Sequence, residues 1–145
     1  PTNTATRTST AIATATPADF IFGNGFEEGN LSAWTGNNND SGNLSVSAAS
    51  ALKGTYGLRA LINDNTVIYV QDDTPAAEPR YRARFYFDPN SITMRSNDTH
   101  AIFIGYTGNE TQVLRVELLR APSAYQLRVG LYNDGNAWTN STAFT

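Results

Sequence analysis

Side chains able to make or break bonds are scarce in this chain. It holds one histidine, His100, and no cysteine. A zinc centre of the ordinary kind needs three or four nitrogen and sulfur ligands, so this composition supplies no such centre. His100 follows Asn97-Asp98-Thr99, a polar stretch that reads as a loop carrying a solvated ring. A serine nucleophile would depend on that one imidazole, and no Gly-x-Ser-x-Gly elbow is present. Glycoside hydrolysis needs two carboxyls about 5–10 Å apart across the scissile bond. Glu27 and Glu28 are neighbours, and on extended backbone neighbours point to opposite faces. Glu117 stands between Val116 and Leu118 and reads as a solvent-facing residue opposite an arginine. These residues predict a non-catalytic chain.

Binding chemistry is better provided for. A sugar ring is held by stacking on an exposed aromatic side chain while amides and carboxylates bond its hydroxyls. Tyr132 and Trp138 bracket Asn133, Asp134 and Asn136, which brings both kinds of group into one short segment. Trp138 reads equally as a sugar platform and as a cover for a sheet edge. Tyr106 is a further aromatic candidate, and Trp34 reads as core. Asn133-Asp134-Gly135-Asn136 and Asp72-Asp73 are oxygen-rich loops that read as turns. Asn30, Asn39, Asn43, Asn97, Asn109 and Asn140 each open an Asn-x-Ser/Thr sequence, the acceptor pattern for N-glycosylation and a mark of exposed extracellular surface. All six fall in segments read as turns.

The elements that must position these groups are short. Apolar runs alternate with period two and are separated by Gly, Asn, Asp and Pro. The runs are Phe20-Ile21-Phe22, Leu44-Ser45-Val46-Ser47, 56–62, Val67-Ile68-Tyr69-Val70 (continuous, as for a buried strand), 81–87, 101–106, 113–118 and 125–131. No sustained helical period is present. The last three runs read as a meander. The class predicted is all-β, an antiparallel β-sandwich or jelly roll.

Composition bounds the rest. The 145 residues are 40% hydrophobic and 16% charged, with net charge −3. One domain of this size can bury a core without disulfides. A nucleic-acid partner would call for a basic stripe, and none is present. Arg80, Arg82 and Arg84 alternate and would share one face of a strand, read as a solvated face rather than an anion site. No apolar run approaches the roughly 20 residues of a membrane span, so membrane insertion is not expected. Residues 1–18 are dominated by Thr and Ala. They read as a linker, or as an extended arm able to add as a strand to an open sheet. Residues 19–145 read as the sandwich domain. A chain opening at Pro1 rather than Met reads as a mature or excised piece.

Gly25-Phe26-Glu27-Glu28-Gly29-Asn30-Leu31-Ser32-Ala33-Trp34 resembles the opening of jelly-roll modules in secreted bacterial proteins. These are the concanavalin A-like (laminin-G-like) lectins and glucanases and similar carbohydrate-binding modules. Lys53-Gly54-Thr55-Tyr56-Gly57-Leu58, Arg84-Phe85-Tyr86-Phe87 and Leu114-Arg115-Val116-Glu117-Leu118 are similar to later core strands of those modules. The resemblance spans about residues 20–144. It implies a β-sandwich at the cell surface or in the extracellular medium, with glycans or a cell-surface polymer as partner. It also implies a structural calcium near Glu27, assisted by Asn30. Catalytic members carry a Glu-x-Asp-x-x-Glu triplet that this chain lacks. The family continues with two or more strands and a late acidic residue that would lie beyond Thr145. A sandwich without them exposes pairing edges and an apolar face to a neighbour. The expectation is therefore a glycan-binding or adhesion module. The alternatives are a filament subunit that donates its N-terminal arm to an identical neighbour, and a glycosidase fragment.

Overall fold

The computed structural model describes residues 20–76, 78–108 and 110–144. The Thr/Ala-rich arm and Asn109 lie outside the described residues. Two compact units are separated between Thr74 and Pro75. Every described strand is antiparallel, and no α-helix occurs among the described residues. The all-β expectation holds at this level.

The first unit contains two two-stranded sheets. Strand β1 (Gly36–Asn38) pairs with β4 (Tyr69–Gln71), and β2 (Leu44–Ser47) pairs with β3 (Gly57–Ala60). Single 3-10 turns at Asp40–Gly42 and Ala48–Ser50 flank β2. Leu44, 4% exposed, is the buried apolar anchor of this unit. Strand β1 has no strand-forming residue, so its pairing comes from outside its own sequence. The Thr35 hydroxyl donates to the Gln71 carbonyl and accepts the Asp73 N–H. Its partner β4 starts two residues later than the apolar run suggests. The Asn38 side-chain amide donates to the Val67 carbonyl, and Val67 is 72% exposed instead of in a buried strand. Residues 20–22 form no strand either. Phe22 meets the edge of Trp34, with ring centroids 4.7 Å apart.

The second unit is built on one four-stranded sheet in the order β5 (Thr99–Tyr106), β6 (Gln112–Arg120), β7 (Tyr125–Tyr132), β8 (Trp138–Asn140). This is the meander read from the sequence, extended by β8 and by a further bridge from Leu127 to Phe144. Alternation gives β6 and β7 two unlike faces. Leu114, Val116 and Leu118 stand with Leu127, Val129 and Leu131 on one; Arg115 and Glu117 stand with Arg128 and Gly130 on the other. A register shift between Ala101 and Phe103 inserts Ile102 as an extra residue. In consequence Ala101 pairs with Glu117 while Phe103 pairs with Val116 on the apolar side, the re-aiming that a bulge performs.

Residues 81–87 do not form the expected strand, so Arg80, Arg82 and Arg84 share no strand face. Rings hold the segment instead of a backbone ladder. Tyr81 and Phe85 both stack on Phe103, with centroids 6.0 and 5.7 Å apart. The loop after this segment is tied to the sheet by Tyr125, whose hydroxyl donates to the Ile92 carbonyl at 2.7 Å and accepts the Met94 N–H at 3.2 Å. Leu118, 3% exposed, is the apolar centre of this unit.

Candidate functional site

The polar face of the four-stranded sheet gathers chemistry that no single run of sequence displays. Glu117 and Arg128 are direct cross-strand partners, and Arg128 donates from Nε (3.0 Å) and Nη2 (2.8 Å) to Oε2 of Glu117. Arg115, two residues before Glu117, brings Nε to 3.5 Å from Oε1, an ion pair too long to be a hydrogen bond. Glu117 is only 5% exposed. It does not face solvent as its sequence context suggests. A carboxylate buried this deeply requires paired charge and short hydrogen bonds, and two arginines from adjacent strands provide both.

Arg115 extends away from Glu117 across the sheet. Its guanidinium carbon lies 4.2 Å from the centroid of the Trp138 ring, within cation–π range. Between them on β7 is Gly130, which pairs with Arg115 on one side and Asn140 on the other. A Cβ at Gly130 would fall 3.0 Å from Arg115 Nε and 2.9 Å from Asn140 Oδ1. Hydrogen in place of a side chain opens the corridor along which Arg115 lies.

Trp138 pairs with Tyr132 across the β7–β8 ladder, and their rings sit 5.5 Å apart at 58°. Both are half-buried. The structure thus brings together two aromatic residues singled out in the sequence and adds Arg115, which they did not suggest. Asn133 shapes the β7–β8 turn. Its Oδ1 accepts the N–H groups of Gly135 and Ala137, and its Nδ2 donates to the Thr139 hydroxyl. Asp134 and Asn136 remain exposed at the turn tip, with Asn136 in the left-handed region at φ 57°. Tyr106 lies on β5, exposed, and accepts a long hydrogen bond from Gln112.

In the first unit, Glu27 clamps a turn. Both carboxylate oxygens accept the Thr55 N–H at 3.0 Å, beside Gly54 at φ +81°. Asn30 accepts the Ser32 N–H through Oδ1 and donates Nδ2 to the Glu28 carbonyl. Calcium takes six to eight oxygens, several of them carboxylate. Glu27 and Asn30 spend theirs on backbone, and no group of three His, Cys, Asp or Glu side chains converges among the described residues. This donor set does not fit calcium. Trp34 packs between Phe22 and Phe26, and its buried Nε1–H has no protein partner. Trp34 also lines an open groove of about 580 Å³ with Asn30, Asn37, Asn39, Leu44 and Val46.

His100 lies on β5, opposite Leu118, and is half-buried rather than in a solvated loop. Burial disfavours its charged form and lowers its pKa below the ordinary 6.5. Among the acceptor asparagines, Asn30, Asn39 and Asn97 are exposed. Asn43 is half-buried, its amide donating to Asp40 at 2.6 Å. Asn140 lies on β8 instead of in a turn.

Compared with protein-family models, curated proteins and solved structures, the chain matches none.

Proposed function

We propose that the chain is a non-catalytic extracellular module, an antiparallel β-sandwich of jelly-roll type, that binds glycan at the Tyr132–Trp138 end of its four-stranded sheet. The observation that carries this reading is the ring pair at 5.5 Å between Tyr132 on β7 and Trp138 on the edge strand β8, beside an exposed turn bearing Asp134 and Asn136. Half-buried rings present apolar area for a pyranose face, and the turn supplies acceptors for its hydroxyls. The sandwich reading is supported by the one-sided distribution of Leu and Val on β6 and β7, since a sheet with one apolar face must cover it. Extracellular placement is supported by the exposed acceptor asparagines Asn30, Asn39 and Asn97.

A glycan array probed with the purified chain tests the reading. Binding should be abolished by Trp138→Ala and weakened about tenfold by Asp134→Ala, the scale of one lost hydrogen bond to a charged group. A chain that binds no glycan, or that binds equally well with Trp138→Ala, would refute it.

A second reading, an extracellular filament subunit completed by a neighbour's N-terminal arm, is favoured by a different observation. Phe85, Leu131 and Phe144 remain 45–54% exposed in the second unit, and large exposed apolar area marks a surface awaiting a partner. Electron microscopy of the wild-type chain and of a chain lacking residues 1–17 separates the readings: fibres in the first and monomers in the second support donation. Unchanged assembly after the deletion excludes it.

A further inference from the structure

We infer that the sugar taken at this end of the sheet is an acidic one, a uronic-acid pyranose whose carboxylate meets the Arg115 guanidinium; this rests on the glycan-binding reading and deepens it. Three observations carry the inference. The first is a charge count on the polar face of β6 and β7, outside which the exposed Asp134 of the turn lies: two guanidinium groups, Arg115 and Arg128, stand against one carboxylate, Glu117. Arg128 holds that carboxylate with two short bonds to Oε2, whereas Arg115 approaches Oε1 only at 3.5 Å. The surplus positive charge therefore belongs to Arg115.

The second is where that charge is placed. The Arg115 guanidinium carbon lies 4.2 Å from the centroid of the Trp138 ring, which it reaches over Gly130, and 27% of the side chain is exposed. Its Nε, the atom nearest Glu117, has no hydrogen-bond partner. A guanidinium presents its N–H groups in its own plane, the geometry that matches a carboxylate bidentately. Stacking orders the side chain before ligand arrives, which lowers the entropic cost of binding.

The third is the surrounding charge. The whole chain carries −3, so a densely sulfated polymer is repelled outside this one spot, while a single carboxylate on a sugar is attracted to it.

Titration calorimetry on the full chain tests this, using uronic-acid oligomers (tetragalacturonate and its glucuronate counterpart), the methyl ester of each, and neutral maltotetraose. At least one free acid should bind about tenfold or more tighter than its ester, and that preference should shrink as salt is raised. Arg115→Gln should erase the acid-over-ester preference, Arg115→Lys should keep part of it, and circular dichroism should show all variants folded. The acid–ester comparison on the wild-type chain stands even if the variants misfold. Acid and ester binding equally, or only neutral sugars binding here or on a broader array, would overturn the acidic assignment and leave glycan binding intact. No binding to any glycan would overturn both.

Discussion

Gly130 and Arg115 face each other across the β6–β7 ladder, and a Cβ added to the glycine would lie 3.0 Å from Nε and 3.1 Å from Cγ of the arginine. The arginine reaches Trp138, its 4.2 Å cation–π partner, along the strip of backbone that Gly130 leaves bare. The site is therefore shaped as much by a missing side chain as by those present.

Gly130→Ala should displace Arg115 and Asn140 while changing stability by less than about 1 kcal/mol, because alanine recovers roughly 0.5–1 kcal/mol of strand preference over glycine. Gly130→Val should move Arg115 fully off the ring. Affinity for glycan, measured beside a urea denaturation curve, should fall in the order Gly, Ala, Val. Undiminished affinity in Gly130→Val would show that the corridor has no part in binding.

Removing one member of a buried ion pair is costlier than removing both. Glu117→Gln leaves two guanidinium groups facing each other and should lower stability by about 2 kcal/mol, less than the 3–5 kcal/mol of a fully buried pair because the arginine side chains are a quarter exposed. Adding Arg128→Leu to Glu117→Gln should recover part of that loss. Simple additivity in denaturant midpoints would mean the pair contributes no coupling.

Glu27 acts as a clamp on the Thr55 N–H. Glu27→Ala should cost about 1 kcal/mol, the usual worth of an exposed hydrogen bond of this kind. Gly54→Ala should cost more, since its φ of +81° is unfavourable to any side chain by about 1–2 kcal/mol and the new Cβ would press on the Glu27 carboxylate. Millimolar calcium or a chelator should leave the Tm unchanged. A calcium-dependent rise in Tm, lost in Glu27→Ala, would overturn this assignment.

The half-buried His100 predicts the direction of a pH effect. Its folded pKa is below the unfolded 6.5, so the unfolded chain binds the proton more readily. Stability from this group is complete above pH 6.5, declines as pH falls through that value, and stops declining below the folded pKa. His100→Gln should remove this part of the acid sensitivity, visible as a smaller loss of Tm between neutral pH and the folded pKa. An identical profile in the variant would place the sensitivity elsewhere.

The meander 101–131 was readable because its residues alternate cleanly and its turns carry Gly, Asn and Pro. Other strands depended on partners remote in sequence. Gly36-Asn37-Asn38 becomes β1 through Thr35 and Gln71, and residues 81–87, with the strongest alternation of aromatics, form ring stacks instead of a ladder. Of the site, Tyr132 and Trp138 were visible as aromatics among amides. Arg115 was not, because its contact with Trp138 spans three strands and depends on the identity of residue 130. Glu117 looked solvent-facing because a run of sequence shows its neighbours on β6 but not the burial that the sheet imposes.

The Glu117–Arg128 pair also distinguishes the native register of β6 and β7 from its neighbours. Slipping β7 against β6 by one residue sets Glu117 against Leu127 or Val129, and slipping by two sets it against Gln126 or Gly130. Each error strands an ion with no direct partner, a cost of several kcal/mol, in a hairpin whose alternating apolar face would tolerate the two-residue slip. A buried charge thus gives β6 and β7 one alignment to settle into.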